Sequence, residues 1–334
     1  MSGVEERELT SPVDMVDGGG RLRPDAIGWS RQPLHRWAFP AGVDRVHAFD
    51  FWCLTTSTVA LSVLVADVGL AGVALVSVQD LAGGSPVERI YVRPRGLPVR
   101  MPDSTEGELV LDAWRLHLVV GPRRIEAQAR TLTGRRIEVA LTIERPPGHE
   151  TVNVVVPWDE TRYHFTSKQQ ALPVRGVVRV GKTEHRFDPE GEAFACRDFG
   201  RGRWPAGVEW CWAFASARRN GHAIGFNLGS RWTDGTGVTE NAVVVDGRVH
   251  KIADVVDVTF DARYRRAPWR IRTRGSARVD LTFTPMTLRN VVVPPFLRLH
   301  QCMGRFAGTI LDDTGTPVVI EDVLGLAESL RGRW

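Results

Sequence analysis

The sequence predicts an all-β protein, on three observations. Apolar residues recur with a period of two, the runs that carry them are short and rich in Val and Leu, and Gly, Pro or Asp closes each run. Taken in order, Val59-Ala-Leu-Ser-Val-Leu-Val65 and Ala74-Leu-Val-Ser-Val78 read as two strands and a turn. They bound the most apolar stretch of the chain. Asp67 and Gly69 interrupt it, and a spanning helix needs about 20 predominantly apolar residues without a central charge, so no integral membrane segment is expected. Trp114-Arg-Leu-His-Leu-Val-Val120 and Ile137-Glu-Val-Ala-Leu-Thr-Ile143 continue the pattern.

Between Pro157 and Ser167 the alternation breaks at Trp158-Asp-Glu-Thr-Arg-Tyr-His-Phe165. A chain of 334 residues exceeds the usual span of one domain. The break is therefore read as a joint between two β domains, 1–160 and 161–334. The second half carries Val177-Val-Arg-Val180, Glu209-Trp-Cys-Trp-Ala-Phe-Ala215, Ala223-Ile-Gly-Phe-Asn-Leu228, Ala242-Val-Val-Val245, Val255-Val-Asp-Val-Thr-Phe260 and Ala277-Arg-Val-Asp-Leu-Thr-Phe283. Asp246-Gly247 is a tight-hairpin signal, because a type I′ turn needs positive φ at both central positions. Turns at such intervals suit an antiparallel barrel or sandwich, in which closure removes exposed edges.

Composition narrows the function classes. Hydrophobic residues make up 43% and charged residues 25%, which supports an ordinary packed core. The net charge of +4 is carried by arginine, with lysine only at 168, 182 and 251. Arginines are interspersed with acids instead of forming a stripe, so nucleic acid is not an expected partner. Four scattered cysteines, Cys53, Cys196, Cys211 and Cys302, lack a C-x-x-C pair and read as buried free thiols. Residues 1–20 lack the basic-then-apolar layout of a signal peptide, so a cytoplasmic location is expected.

The segment richest in chemistry is Arg197-Asp-Phe-Gly-Arg-Gly-Arg-Trp-Pro205 with Glu209-Trp-Cys-Trp212 and the glycine-rich run from Gly225 to Asn241. Four of the eleven tryptophans, Trp204, Trp210, Trp212 and Trp232, fall in it. On a strand, alternation puts Trp210, Trp212 and Phe214 on one face and Glu209, Cys211, Ala213 and Ala215 on the other. The aromatic face reads either as barrel core or as the wall of a ligand pocket. Asp198, Glu209, Asp234 and Glu240 are the acids nearest this set, and Arg197, Arg201 and Arg203 are candidate counter-charges. A carboxyl desolvated beside tryptophan stays protonated and can act as a general acid, whereas a loop salt bridge or turn hydrogen bond is the plainer role; Asp234, before Gly235, suits a turn. Asn227 shares its face with Gly225 and Gly229, which leaves room for something to approach its amide. There is no G-x-S-x-G elbow, phosphate loop or dinucleotide fingerprint, and the nine histidines show no pair at metal-ligand spacing, so no cofactor and no metal are expected.

Asp198-Phe-Gly-Arg-Gly-Arg-Trp-Pro205, Trp210-Cys-Trp-Ala213, Gly225-Phe-Asn-Leu-Gly229 and Thr233-Asp-Gly-Thr-Gly-Val-Thr-Glu-Asn-Ala242 together resemble the bacterial family known as domain of unknown function 2804 (DUF2804). Weaker agreement runs from Phe49-Asp-Phe-Trp52 through His164-Phe-Thr-Ser-Lys168 to Gly325-Leu-Ala-Glu328. The chain departs at Phe199, where many members carry tryptophan; an aromatic is kept. The family looks related to tandem lipocalin-like proteins that include carotenoid hydratases of the hydroxyneurosporene synthase type, tocopherol cyclase and fungal Diels-Alderases. The resemblance implies two lipocalin-like antiparallel β-barrel or sandwich halves and greasy substrates handled without a redox cofactor.

The expectation is a hydrophobic small molecule, such as an isoprenoid, polyene or lipid-like compound, bound in an aromatic-lined pocket. A cofactor-independent hydratase, dehydratase or cyclase would use Asp198 or Glu240 as proton donor. Trp204, Trp210, Trp212 and Trp232 would shape the ligand, and Arg201 and Asn227 would hold the acid or orient a water. A non-catalytic carrier or sensor needs the same pocket without the acid, and a carbohydrate-active protein is the third reading.

Overall fold

The computed structural model describes residues 6–37, 39, 46–69, 71–94, 101–261, 263, 264 and 266–333. Among them the helical pieces are two short 3-10 turns, Pro24–Ala26 and Pro189–Gly191, and the rest of the regular structure is strand. The all-β class read from the sequence is what the chain adopts, with one sheet of thirteen strands and one of ten.

Contacts divide the chain into two compact units that are interleaved in sequence. The first comprises Met1–Asp44, Glu150–Ala171 and Gly202–Trp334, and the second comprises Arg45–His149 and Leu172–Arg201. Residues on both sides of the expected division at 160 therefore lie in the first unit. The segment read as a joint is a hairpin turn: Trp158 and Asp159 donate backbone N–H groups to the Arg162 carbonyl, and the Asp159 carboxylate accepts from Thr161 and Arg162. Val152–Pro157 enters it, and the long strand Tyr163–Val180 leaves it. One of the four breaks between units falls after Ala171, which has a φ of 56° and donates its N–H to Ser216 Oγ at 2.8 Å.

In the second unit, His47–Thr55, Val59–Asp67, Ala71–Asp80 and Val87–Pro94 form one meander. Leu109–Ala113, Leu116–Val120, Arg124–Arg130 and Arg136–Ile143 form another. Val63 and Val76 of the first share a single buried cluster with Leu118, Ile125 and Val139 of the second, so the sheet curls around one core. Arg136–Ile143 alternates exposed and buried without exception, as its Arg-Ile-Glu-Val-Ala-Leu-Thr-Ile pattern requires.

In the first unit, Gly207–Arg219 lies between His222–Ser230 and the C-terminal strand Pro317–Arg333. Its core cluster contains Cys211, Ala213, Ala215 and Ala217 from that strand, packed with Phe226, Trp269, Phe283 and Phe306. The small residues face the sheet's core, and the large ones at 210 and 212 face the other way. Asp246 and Gly247 have φ of 47° and 80° between paired strands, the turn their sequence calls for.

All four cysteines are free and buried. Burial pushes the Cys302 thiol up to about 12 and raises that of Cys211 as well. Native protein is therefore expected to leave all four unmodified by a thiol-titrating disulfide reagent over minutes, and guanidinium-unfolded protein to react at four. Rapid labelling of the folded chain would contradict this burial.

Candidate functional site

The site grows from a strand segment whose composition hides its burial. Tyr163 to Gln170 are all buried, although six of the eight, His164, Thr166, Ser167, Lys168, Gln169 and Gln170, are polar. Alternation sets His164, Thr166, Lys168 and Gln170 on one face. Three of them meet the residues singled out from the sequence, all within the first unit. His164 Nδ1 accepts the Trp204 indole N–H at 2.9 Å. Lys168 Nζ lies 3.1 Å from Glu240 Oε2, with both side chains less than a tenth exposed, and 4.7 Å from the centre of the Trp212 ring. Gln170 Nε2 approaches Asn227 Oδ1 at 3.5 Å.

Two glycines allow this approach. A Cβ on Gly202 would sit 2.1 Å from the Tyr163 carbonyl oxygen, and one on Gly225 would sit 2.7 Å from the Gln170 Cβ. The room inferred beside Asn227 is thus filled at Gly225 by the polar strand. Gly225→Ala is expected to destabilise the protein by about 1–3 kcal/mol. Gly229→Ala, whose Cβ would meet its nearest atom at 3.6 Å, should move the urea midpoint far less. Equal midpoints for the two variants would show that Gln170 yields.

Asn227 is fully buried and wholly engaged. Its Oδ1 accepts from the Trp212 indole at 2.7 Å, and its Nδ2 donates to the Glu240 carbonyl at 2.8 Å. It fixes the indole face that Lys168 meets. Trp232 sits at the centre of an aromatic cluster, edge-on to Trp158 at 4.6 Å, Trp204 at 5.6 Å, Trp210 at 5.5 Å and His164 at 5.4 Å.

Asp198 and Arg201 belong to the second unit. Asp198 is buried on Phe194–Arg203. Arg201 donates to the Pro102 carbonyl and lies 3.7 Å from Asp103; burial pushes its guanidinium down to about 10, and Asp103 opposes that change. Arg197 forms a buried bidentate pair with Asp50 at 2.9 and 2.7 Å and lies over Trp52 and Phe199. Two of the sequence motifs, Phe49-Asp-Phe-Trp52 and Arg197-Asp-Phe199, are therefore joined by one ion pair. Glu209 is held below the usual carboxylate range by Arg331, which donates to it at 2.8 Å, and by Arg231. Asp234 accepts from the Arg231 N–H, the turn role read from the sequence.

Several polar residues of the interior were not singled out from the sequence. Lys251 Nζ lies 2.9 Å from Glu6 Oε1, which also accepts from the N–H and hydroxyl of Thr239. Burial pushes the Lys251 ammonium below its ordinary value, against the opposing effects of Glu6 and Glu240. Two lysine–glutamate pairs thus interact in one interior. Glu328 is buried and accepts the Trp210 indole N–H at 2.9 Å and the Gln301 amide at 2.7 Å. The signal that could have found Lys168 and Lys251 was rarity, since they are two of three lysines beside forty arginines. A concavity of about 380 Å³ lies elsewhere, on the second unit, lined by Asp112, His117, Gln128, Arg130 and Glu138 among others. His250, Asp312 and Asp313 also come close together, but Asp312 Oδ1 already accepts three hydrogen bonds from Thr314 and Thr316 within its own turn.

Fold and site together define an all-β protein with a buried charged and aromatic interior. The chain belongs to the family described as domain of unknown function DUF2804, whose profile matches residues 6–334. No curated protein matches the sequence. Among solved structures the chain is similar to an AttH candidate of Nitrosomonas europaea, at 11% identity over 86% of this chain and 92% of that one, with a TM-score of 0.48. It is also similar to kievitone hydratase from Nectria haematococca, at 11% identity over 88% and 90% with a TM-score of 0.48. A third similarity is to CghA with Sch210972, at 13% identity over 89% and 90% with a TM-score of 0.43. No helix among the described residues is long and apolar enough to cross a membrane.

Proposed function

We propose that this protein is a cofactor-independent acid–base enzyme for a hydrophobic small molecule, catalysing hydration, dehydration or cyclisation, with Glu240 as the proton-carrying group. The observation that carries this reading is the buried Lys168–Glu240 pair set against the Trp212 face. In the resting pair the ammonium holds the proton and the carboxylate is ionised. Two charges in a water-poor interior bear a large desolvation penalty. An apolar ligand that displaces the remaining water raises that penalty, and moving the proton from Lys168 Nζ to Glu240 Oε2 removes both charges at once. Glu240 is then a carboxylic acid able to protonate the ligand, and Lys168 is a neutral amine able to take a proton back. Positive charge developing on the ligand would be met by the indole faces of Trp210 and Trp212. Asn227 holds Trp212 in place, and Trp204 and Trp232 build the wall behind them.

The test is to purify the protein from its own host, identify any co-purifying small molecule by mass spectrometry, and incubate compounds of that class with wild type, Glu240→Gln and Asp198→Asn. The expected result is an apolar ligand that wild type converts, by gain or loss of water or by ring closure, and that Glu240→Gln binds but does not change. Loss of turnover in Asp198→Asn alone would move the donor to the second unit. A ligand returned unaltered by every protein would make this a carrier, and binding only of sugars would overturn the apolar reading.

A further inference from the structure

The β-hairpin formed by Arg289–Val293 and the start of Leu297–Leu311, in the first unit, ends in an apolar tip that the core does not use. Its sequence is Val291-Val-Val-Pro-Pro-Phe-Leu297, and Val292, Val293 and Phe296 are 59%, 49% and 50% exposed. Adjacent strand residues point to opposite faces, so exposure of both Val292 and Val293 means that the tip stands clear of the sheet on either side. Scattered single apolar residues need no explanation, but a contiguous exposed run does.

The backbone of the tip is unusually free of unmet donors. Pro294 and Pro295 have no N–H. Phe296 donates its N–H to the Val293 carbonyl at 2.7 Å and accepts from the Arg333 N–H at 2.8 Å. Moving such a segment out of water forfeits few backbone hydrogen bonds, which is the condition set by a lipid interface. Around the tip stands a collar of arginines. Arg298 is opposite Val292 in register, Arg331 is opposite Arg298, Arg289 opens the first strand, and Arg333 reaches the turn. Glu209 pairs with Arg331 at 2.8 Å, and among the described residues no acid pairs with Arg298 or Arg333.

We infer that this tip docks the protein on an anionic lipid bilayer, with Val292, Val293 and Phe296 entering the headgroup–acyl boundary and Arg298 and Arg333 meeting the lipid phosphates. Apolar side chains framed by basic ones are what a peripheral membrane contact requires. The charge pattern selects lipid over a second copy of the chain, because pairing two such tips would bring like-charged collars together.

The experiment is flotation of the purified full chain with vesicles of phosphatidylcholine alone and of phosphatidylcholine with one-third phosphatidylglycerol. Association is expected with the anionic vesicles only, weakening as sodium chloride is added. Val292→Ser/Phe296→Ser should weaken it by about tenfold or more, and Arg298→Glu by at least about fivefold. Both variants alter exposed side chains, so their melting temperatures should match wild type. Absence of wild-type flotation, or unchanged flotation of both variants, would overturn the inference. So would a dimer, seen by light scattering, that the tip variants convert to monomer.

Discussion

A Lys168→Met protein is expected to lose about 3–5 kcal/mol of stability, because it leaves the Glu240 carboxylate buried without the ammonium that faces it at 3.1 Å. Glu240→Gln should cost a similar amount by stranding the ammonium. The double variant Lys168→Met/Glu240→Leu removes both charges and should be far less destabilised than the sum of its parts. A urea double-mutant cycle measures this, and simple additivity would show that the pair is not a unit. The conservative variant Lys168→Arg keeps a cation near Glu240 and should lose less than Lys168→Met in the same urea series; equal losses would mean that the deficit comes from packing of the lysine stem.

The other large effect is expected at Trp232. Four aromatic rings meet this indole edge-on at 4.6 to 5.6 Å. Trp232→Ala removes the shared partner of all four, and about 3–5 kcal/mol should be lost. Trp232→Phe keeps a face for most of them and should cost much less. The ligand-wall role adds a separable expectation. If Trp232 only supports the wall, Trp232→Phe should retain ligand binding while Trp212→Ala loses it. The reverse order, read by native mass spectrometry, would place the ligand on Trp232 itself.

Much of this organisation was written locally in the chain. Arg136–Ile143 alternates in sequence and in burial, Asp246-Gly247 turns as its φ requirement demands, and the small face of Gly207–Arg219 is the one that packs inward. The aromatic face of the same strand was legible too, but its two readings could not be separated by periodicity, because period two says which residues share a face and not what lies opposite. What lies opposite is His164 to Gln170, and hydropathy gives no sign of that segment's burial. Its polar residues are inside because each finds a partner far away in sequence: Trp204 for His164, Glu240 for Lys168, Asn227 for Gln170. The interleaving of the two units likewise has no local mark in the chain. A break in alternation marks a turn as readily as a boundary, and the turn at Trp158–Arg162 is a hairpin within one unit. Asp198 and Glu240, 42 positions apart and alternative proton donors on the sequence alone, fall in different units.

Burying Lys168 and Lys251 in ion pairs also changes what the molecule offers to reagents in solution. Lys182, exposed in the turn between Tyr163–Val180 and Thr183–Phe187, is the single lysine left on the surface. A dye, cross-linker or solid support that reacts with amines has one lysine side chain to take, on the second unit and well away in sequence from the signature motifs. The preference for arginine over lysine on the rest of the surface leaves the protein cationic while offering acylating reagents a single exposed lysine side chain.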